Sequence, residues 1–337
     1  MHLTKRSITA SLAVTAAIGL ALSGCSLSSS NAPVAGASSA GCKGTTMAYL
    51  TPGISVPYWR SLSVGIQQAA KPSGVKVTTY DSNNSQSKQL QNAQDAITAG
   101  VSAIIISPTD SASAPAVLAL AAKSKVPVVI ADIGTDSGDY VTFVKTDNLA
   151  GAAAAGAYLA KRLTAAGFTN SPIGIIGISQ ARQNGKDRTK GFTDAVTKDG
   201  NTILPLLEAK DYSRAEGLAF AQDLITANPT MHGFFSEHDE ATQGALTAVA
   251  TAGKQKDIIM VGFDGSPETF KAIQDGRLAG AAMQQPVLMG ADAFKSACAF
   301  LDGKPTKKLI VLPTIMVTSD NVNQIGAEVK ANVFASQ

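Results

Sequence analysis

A cluster of side chains capable of acid–base chemistry lies in SEHDEA, at residues 236–241. Ser236, His238 and Asp239 are residue types that hydrolases use as nucleophile, base and orienting acid. The sequence contains no G-x-S-x-G motif that would hold the serine on a sharp turn, and it offers no second well-placed histidine. His232 lies six residues upstream of His238 in a predicted strand that directs it elsewhere, so a metal site would lack ligands. We therefore expect neither catalysis nor a metal here.

Trp59, the only tryptophan of the chain, lies in the stretch ISVPYWR at residues 54–60. An apolar run at residues 46–50 ends just before Pro52, which indicates a buried strand that runs into a loop. Beyond Trp59, apolar residues recur at helical spacing up to Gly74. Trp59 thus follows the carboxyl end of a strand, where open α/β sheets bind ligands. A tryptophan that caps the core is the alternative, and these residues alone do not decide between the two.

Asp132, Arg188 and Asp264 could bind a polar ligand, but each also has a purely structural explanation. Asp264 follows a predicted strand and precedes the sequence GSP, so it could cap the next helix. Arg188 could be a solvated charge on a helix, and Asp132 could be a turn residue. The residue types by themselves leave both explanations open.

The elements that must position these side chains are short β-branched runs that alternate with amphipathic segments. Strands are predicted at residues 46–50, 75–80, 103–107, 126–130, 140–145, 172–178, 202–208, 232–236, 258–263 and 278–283. Helices are predicted at residues 86–99, 112–124, 149–166, 187–198, 214–227, 241–252, 267–274 and 291–301, with one more after Trp59. The alternation favours parallel sheets with right-handed crossovers, and the strands are too many for one open sheet. We therefore predict two α/β lobes.

The first residues have the layout of a secretory signal. Lys5 and Arg6 precede an uncharged, largely apolar stretch at residues 7–22, which is too short to span a membrane as a stable helix. The stretch ends in LSGC, which resembles the lipobox of bacterial lipoproteins and implies lipid attachment at Cys25 and removal of residues 1–24. Residues 25–44 are then a tether rich in Ser, Ala and Gly. An ordinary signal with an incidental Cys25 is the alternative.

Composition excludes several classes of partner. The net charge is +3, and the cations are scattered without blocks, so we expect no nucleic-acid surface. No Gly-rich phosphate loop is present, so we expect no nucleotide cofactor.

If Cys25 carries lipid, Cys42 and Cys298 remain as a pair in an oxidising compartment, where a disulfide could persist. A buried free Cys298 on its helix is the alternative.

Three stretches resemble the ribose-binding-like periplasmic sugar-binding proteins of ABC importers. They are DSNNSQSKQLQNAQDAITAGVSAIIISPTDS at 81–111, TDNLAGAAAAGAYLAKRL at 146–163 and FFSEHDEATQGALTAVATAGKQKDIIMVGFDGSPE at 234–268. The resemblance covers about residues 47–316. It implies two doubly wound parallel-sheet lobes with a three-crossover hinge, the type I architecture, and chain crossings near residues 146–148, 284–286 and 312–314. The lobes would comprise residues 45–146 with 286–312 and residues 147–284 with 314–337. Cys42 and Cys298 then share one lobe, which favours their disulfide.

The resemblance also implies a set of ligand-binding residues. They are Tyr58, Trp59, Ser107, Asp132, Arg188, Tyr212, His238, Phe263, Asp264 and Gln284. Ser107 and His238 occupy positions where ribose binders carry asparagine. Val56 replaces a pocket asparagine of those proteins, and Ile133 replaces an arginine. Loss of two polar contacts makes ribose doubtful, and a deoxy sugar, a differently posed aldose or a linear polyol would suit the site better.

These features favour a lipid-anchored, extracytoplasmic solute-binding protein that needs no cofactor and acts as a monomer. It would capture a monosaccharide or small polyol by hinge closure and deliver it to an ABC permease. In this interpretation Trp59 is a wall of the cleft and not part of the core. A sensor lipoprotein that presents a sugar-like signal to a membrane receptor is the alternative. A transcription regulator of this fold would need an N-terminal helix-turn-helix, where this chain has a signal and a tether.

Overall fold

The computed structural model describes residues 41–334, so the predicted signal, Cys25 and most of the predicted tether lie outside the described residues. The strands are β1 (Thr46–Thr51), β2 (Lys76–Asp81), β3 (Ala103–Ile106), β4 (Val128–Ala131), β5 (Thr142–Thr146), β6 (Pro172–Gly177), β7 (Thr202–Ile203), β8 (Leu207–Glu208), β9 (Gly233–Ser236), β10 (Ile259–Asp264), β11 (Gly280–Met283), β12 (Leu309–Leu312) and β13 (Ile315–Thr318). The helices are α1 (Pro57–Ala70), α2 (Gln86–Thr98), α3 (Ala114–Lys123), α4 (Asn148–Ala165), α5 (Gln183–Val196), α6 (Arg214–Ala227), α7 (Asp239–Thr251), α8 (Pro267–Gln274), α9 (Pro286–Leu301) and α10 (Gly326–Asn332). Within residues 41–334, no helix combines the length and the apolar character needed to cross a membrane.

The strands form two sheets, so the predicted pair of α/β lobes is confirmed. The first sheet has the order β12-β5-β4-β3-β1-β2, and the second has the order β13-β11-β10-β9-β6-β7, with β8 also paired to β6. Every pairing is parallel except that of β11 with β13. In each sheet the chain reverses its winding direction once, between β1 and β3 and between β6 and β9. Ligands bind outside the carboxyl ends of the strands at such switch points.

Each sheet is buried on both faces, as βαβ crossovers require. In β1, Met47 and Tyr49 face one core cluster, whereas Ala48 and Leu50 face the other. This alternation follows from the two-residue period of a strand. The second sheet likewise separates two core clusters, with Phe234 on one side and Phe235 on the other.

Three predicted elements differ from the structure by more than two residues. The helix predicted at residues 291–301 begins five residues earlier, at Pro286. The strand predicted at residues 202–208 is split into β7 and β8 around Pro205, which has no N–H to donate to a sheet. The helix predicted at residues 187–198 begins earlier, at Gln183. Its first turn is polar, so the apolar periodicity on which the prediction rests does not reveal it. The edge strands β12 and β13 and the helix α10 were not predicted.

The chain passes between the sheets at three places, in the segments that the resemblance implies. They lie between β5 and α4, between β11 and α9, and between β12 and β13. Helix α9 returns to the first lobe, where it packs tightly on α1. A Cβ atom on Gly65 would overlap the carbonyl of Val287, and one on Gly290 would overlap the carbonyl of Leu62. Glycine at both positions therefore permits the close contact of these helices.

The structure joins Cys42 and Cys298 in a disulfide whose Cα atoms are 4.9 Å apart. Cys298 lies on α9, and the backbone N–H of Cys42 donates to Asp302 just beyond the end of that helix at 2.8 Å. The bridge thus attaches the chain preceding β1 to the outer helix of the first lobe.

We expect reduction of this disulfide to lower the free energy of unfolding by about 2 to 5 kcal/mol, because the bridge restricts the unfolded chain. Denaturant unfolding with and without reductant measures the loss. The double variant Cys42→Ala/Cys298→Ala should already show that loss and should not respond to reductant. Equal stability of the oxidised and reduced wild-type protein would contradict the prediction.

Candidate ligand-binding site

A cavity of about 310 Å³ lies between the two lobes, at the carboxyl ends of their strands. It is lined by Pro52, Gly53, Ser55, Val56, Pro57, Tyr58, Trp59, Asn83, Asn84, Asp132, Ile178, Arg182, Asn184, Arg188, Asp211, Tyr212, His238, Asp239, Glu240, Asp264 and Gln284. All of the predicted ligand-binding residues except Ser107 and Phe263 belong to this wall.

Two of the acidic residues of the cavity wall lie at strand ends, where the backbone turns. Asp264 is the last residue of β10, and Asp132 directly follows β4. Both adopt positive φ angles, 79° for Asp264 and 71° for Asp132, and so does Tyr212 at 53°. Non-glycine residues rarely adopt this conformation, and those that do cluster at functional sites. The strained backbone aims these side chains into the space between the lobes.

A polar network runs through the wall from one lobe to the other. Arg188 Nη1 lies 2.9 Å from Asp264 Oδ1, which also accepts from Gln284 Nε2 at 2.6 Å. The Tyr58 hydroxyl donates to Asp132 Oδ1 at 2.7 Å and lies 3.3 Å from Gln284 Oε1. Tyr58 has one proton, so the shorter contact with Asp132 is the principal bond. These groups therefore hold each other in place before any ligand contacts them.

Arg188 is the most constrained cation of the cavity. Its Nε donates to Asn148 Oδ1 at 2.8 Å, and its Nη1 donates to the carbonyl of Glu237 at 2.6 Å. The guanidinium carbon lies 4.1 Å from the ring centre of Phe263. The prediction that Phe263 lines the pocket is thereby corrected: the ring is completely buried and supports Arg188.

Ser107 also lies outside the cavity wall, contrary to the prediction. Its Oγ is 3.2 Å from the Tyr49 hydroxyl, and its carbonyl accepts from Gln89 Nε2 at 2.9 Å. Ile133 is buried in the core cluster of the first lobe, so of the two apolar replacements only Val56 contacts the cavity. The alternating direction of side chains at a strand end explains both placements.

Trp59 belongs to the core and to the cavity wall at the same time. It lies in the first turn of α1, which begins at Pro57, a residue suited to a first helical position. The indole is 7% exposed and packs in the core cluster of the first lobe, yet it lines the cavity. Its ring meets that of Tyr58 edge to face at 4.8 Å. The expectation that Trp59 is not part of the core is therefore wrong.

His238 caps helix α7 and faces the cavity. Its Nδ1 accepts from the backbone N–H of Ala241 at 3.4 Å, which leaves the proton of the neutral ring on Nε2. That Nε2 is buried and has no partner among the described residues. Burial, assisted by the nearby Arg188 and Arg182, lowers the pKa of His238 to about 3. His238 is thus an uncharged hydrogen-bond donor.

Burial shifts the pKa values of three carboxyl groups at or beneath the wall in the opposite direction. It raises the pKa of the Asp132 carboxyl, against the effect of Arg188. It also raises the pKa of Asp239, where the neighbouring Asp264 acts in the same sense. Beneath the wall, burial raises the pKa of Glu237 to about 7, although Thr189 and the backbone of Ile178 donate hydrogen bonds to it. Burial therefore disfavours the charged forms of these three carboxyl groups.

Several wall residues were absent from the predicted set. The polar ones are Ser55, Asn83, Asn84, Arg182, Asn184, Asp211, Asp239 and Glu240. Asn83 and Asn84 have φ angles of 47° and 54°, and the Asn-Asn pair after a predicted strand was an available signal. Arg182 and Asn184 carried no such signal. In the described part of the chain, no group of His, Cys, Asp and Glu side chains could hold a metal ion.

A family model described as periplasmic binding protein domain matches residues 47–305. The ribose import binding protein of Salmonella typhimurium is 36% identical over 259 residues, which cover 77% of this chain and 86% of that protein. The D-allose-binding periplasmic protein of Escherichia coli is 28% identical over 268 residues, covering 77% and 84%.

A solved structure of a solute binding protein is also similar to this chain in its fold. The carbohydrate transporter solute binding protein from Agrobacterium radiobacter, in complex with D-arabinose, has a TM-score of 0.80 and 28% identity to this chain. The match covers 86% of this chain and 98% of that one. The chain therefore belongs to the family of ribose-binding-like periplasmic binding proteins.

Proposed function

We propose that this protein captures a monosaccharide or small polyol between its lobes by hinge closure and delivers it to an ABC importer. The observation that carries the proposal is the network from Arg188 to Asp132, which joins polar groups of both lobes around one cavity. Relatives named for ribose and allose binding, and a similar structure that holds D-arabinose, support this class of ligand. Since the family consists of transport proteins, we propose no enzymatic role.

The cavity wall offers both kinds of surface that a sugar needs. The rings of Tyr58, Trp59 and Tyr212 can cover C–H faces, which are apolar. Asp132 and Asp264 can accept from hydroxyl groups, which are both donors and acceptors. Each hydrogen bond to a charged group contributes about 1.5 to 3 kcal/mol net. A few such bonds and stacking support binding of about micromolar affinity or tighter.

The size and charge of the cavity favour a small ligand without negative charge. Its volume of about 310 Å³ lies near the lower end of the range of roughly 300 to 1,000 Å³ for small-molecule sites. The acidic wall residues are Asp132, Asp211, Asp239, Glu240 and Asp264, whereas the basic ones are Arg182 and Arg188. Both arginines already donate to protein acceptors. The excess of acidic over basic wall residues therefore disfavours a carboxylate or phosphate on the ligand.

Val56 argues against ribose itself. It stands in the cavity wall where ribose binders have an asparagine, and a hydroxyl buried against it would lack a partner. An unpaired buried hydroxyl costs on the order of 1 to 3 kcal/mol. We therefore propose a deoxy sugar, a differently posed aldose or a linear polyol as the ligand.

We also propose that Cys25 carries lipid and that the predicted tether, residues 25–44, links the protein to the outer face of a membrane up to Cys42, where the disulfide fastens the chain to the first lobe. The LSGC sequence supports this, and relatives with periplasmic names support an extracytoplasmic location. The lobe boundaries that we propose are those given by the resemblance, residues 45–146 with 286–312 and residues 147–284 with 314–337.

We expect the mature protein isolated from membranes to begin at Cys25 and to carry a diacylglyceryl group. Intact-mass measurement tests both points. Cys25→Ser should abolish the added mass and release the protein from membranes. An unmodified amino terminus at another residue would contradict lipid attachment without affecting the proposed ligand.

Thermal scanning against a library of sugars and polyols tests the proposed ligand class, because a ligand that binds only the native state raises the melting temperature. For the carbohydrate that gives the largest shift, we expect Asp132→Asn to weaken binding about 10- to 100-fold. The unliganded variant should be no less stable than wild type, since burial disfavours the Asp132 carboxylate.

The matched control is Asp136→Asn, four residues further along the same loop, where the side chain is exposed and outside the main cavity. It should retain the full ligand-induced shift. A library in which no carbohydrate or polyol raises the melting temperature would overturn the proposed function.

We expect the His238 ring to stay uncharged from about pH 5 to about pH 8, because its pKa is lowered to about 3 from an ordinary value of 6.5. The unfolded chain therefore gains this proton first as the pH falls, and the His238 contribution to stability is lost progressively below about pH 6.5. Ring NMR signals, assigned with the His238→Asn variant, should not titrate in this window. A midpoint near pH 6.5 would contradict the assignment of His238 as a neutral donor.

A further inference from the structure

Arg182 belongs to the second lobe but hydrogen-bonds to the first. It lies just before the first residue of α5, and it is only 6% exposed. Its Nε donates to the carbonyl oxygen of Thr109 at 2.8 Å, and its Nη2 donates to Asn84 Oδ1 at 3.0 Å. The guanidinium carbon lies 4.6 Å from the ring centre of Tyr212 in its own lobe. One side chain thus spans the cleft between the two lobes.

The next two residues continue the same contact. The backbone N–H of Gln183 donates to Ser111 Oγ at 3.5 Å, and Asn184 Nδ2 lies 3.4 Å from Asp132 Oδ2. Asp132 and Asn184 line both the main cavity and a neighbouring cavity of about 210 Å³, so their contact separates the two. We refer to Arg182, Gln183 and Asn184 together as the α5 clasp.

The acceptors of the clasp are held rigidly by their own lobe. The backbone N–H of Thr109 donates to Gln89 Oε1 at 3.0 Å, which fixes the loop after β3. The backbone N–H of Asn84 donates to the carbonyl of Pro52 at 2.6 Å. Tyr212, beneath the guanidinium, accepts from the backbone N–H of Ser179 at 3.1 Å. Because these groups are already ordered, little entropy is lost when Arg182 binds them.

The clasp is also distinct from the hinge. Among residues 41–334, the other side-chain polar contacts between the lobes lie at the chain crossings. Asn148 Nδ2 donates to the carbonyl of Thr146 between β5 and α4, and Gln284 and Gln285 make their contacts at the crossing between β11 and α9. The clasp contacts residues of the first lobe that lie outside the chain crossings, and none of its bonds requires a ligand.

We propose that the α5 clasp holds the two lobes together without ligand, and that Arg182 is the positioning residue that sets the balance between open and closed forms. The inference rests on the proposed function, in which closure accompanies binding. A protein that is already biased toward its closed form needs less ligand binding energy for closure, so its apparent affinity rises. A planar guanidinium suits this task because its donors meet two fixed acceptors at once.

The first experiment measures closure in ligand-free protein. Trp59 is the only tryptophan, lines the cavity between the lobes and is 7% exposed, so its emission and its quenching by acrylamide report opening. Small-angle scattering gives the radius of gyration of the same samples. We expect Arg182→Ala to lower the closed-to-open ratio about tenfold or more, with red-shifted emission and a larger radius.

The matched control is Arg162→Ala. Arg162 donates to Tyr158 and Ser319 and lies 5.8 Å from the Tyr158 ring centre, so it resembles Arg182 but makes its contacts within the second lobe. This variant should leave the Trp59 emission and the radius of gyration of the ligand-free protein unchanged. It therefore separates loss of the clasp from loss of an arginine.

A second pair of variants tests the clasp in both directions, even if Arg182→Ala fails to fold. Asn84→Asp gives the guanidinium a charged acceptor at a backbone angle that aspartate tolerates, so it should favour the closed form. Arg182→Lys, which cannot donate to two fixed acceptors in the same way, should fall between wild type and Arg182→Ala. For a carbohydrate found by thermal scanning, Arg182→Ala should speed dissociation about tenfold.

Identical ligand-free emission and radius in wild type, Arg182→Lys and Asn84→Asp would overturn the clasp. This result would leave the proposed function intact, because the ligand screen does not depend on it. Conversely, if no carbohydrate in the screen raises the melting temperature, the proposed ligand class is overturned. The ligand-free emission and radius of gyration still show whether the clasp holds the lobes together.

Discussion

The site depends on one buried ion pair, that of Arg188 with Asp264. The two side chains lie 2.9 Å apart with 3% and 12% of their surfaces exposed. Taking both charges out of water costs several kcal/mol per ion, which their attraction offsets only when the remaining donors and acceptors are satisfied. Asn148, the carbonyl of Glu237 and Gln284 meet that requirement here. The same hydrogen bonds that offset the cost of burying the ion pair also determine where the ligand-facing groups lie.

The fold meets this constraint by placing two partners of Arg188 and of its network, Asp264 and Gln284, at the ends of adjacent strands. Asp264 ends β10, and Gln284 follows β11, its neighbour in the second sheet. From Gln284 the network reaches Tyr58 at the start of α1, in the first lobe. A ligand in the cavity would therefore meet groups whose positions are coupled across the cleft. Such pre-organisation reduces the ordering that binding would otherwise require.

Core packing, the contact with α9 and the disulfide of the first lobe support helix α1. Trp59 fills part of the core beneath α1, and glycine at position 65 lets α9 pack closely on that helix. The Cys42–Cys298 bridge then fastens α9 to the chain before β1. On the other side of the cleft, α5 carries both Arg188 in its second turn and the clasp at its beginning. One helix thus connects the centre of the cavity to its rim.

The sequence by itself determined the two α/β lobes and eight of the 21 residues that line the cavity, including Tyr58, Asp132 and Arg188. Strand and helix periods are local properties, and the family motifs carry the order of the site residues. Tertiary structure decided that Ser107 and Phe263 lie beneath the wall, because the alternation of side chains does not by itself tell which face of a strand end meets the cleft. It also decided the contacts of Arg182, whose partners lie 73 and 98 residues away and leave no local pattern.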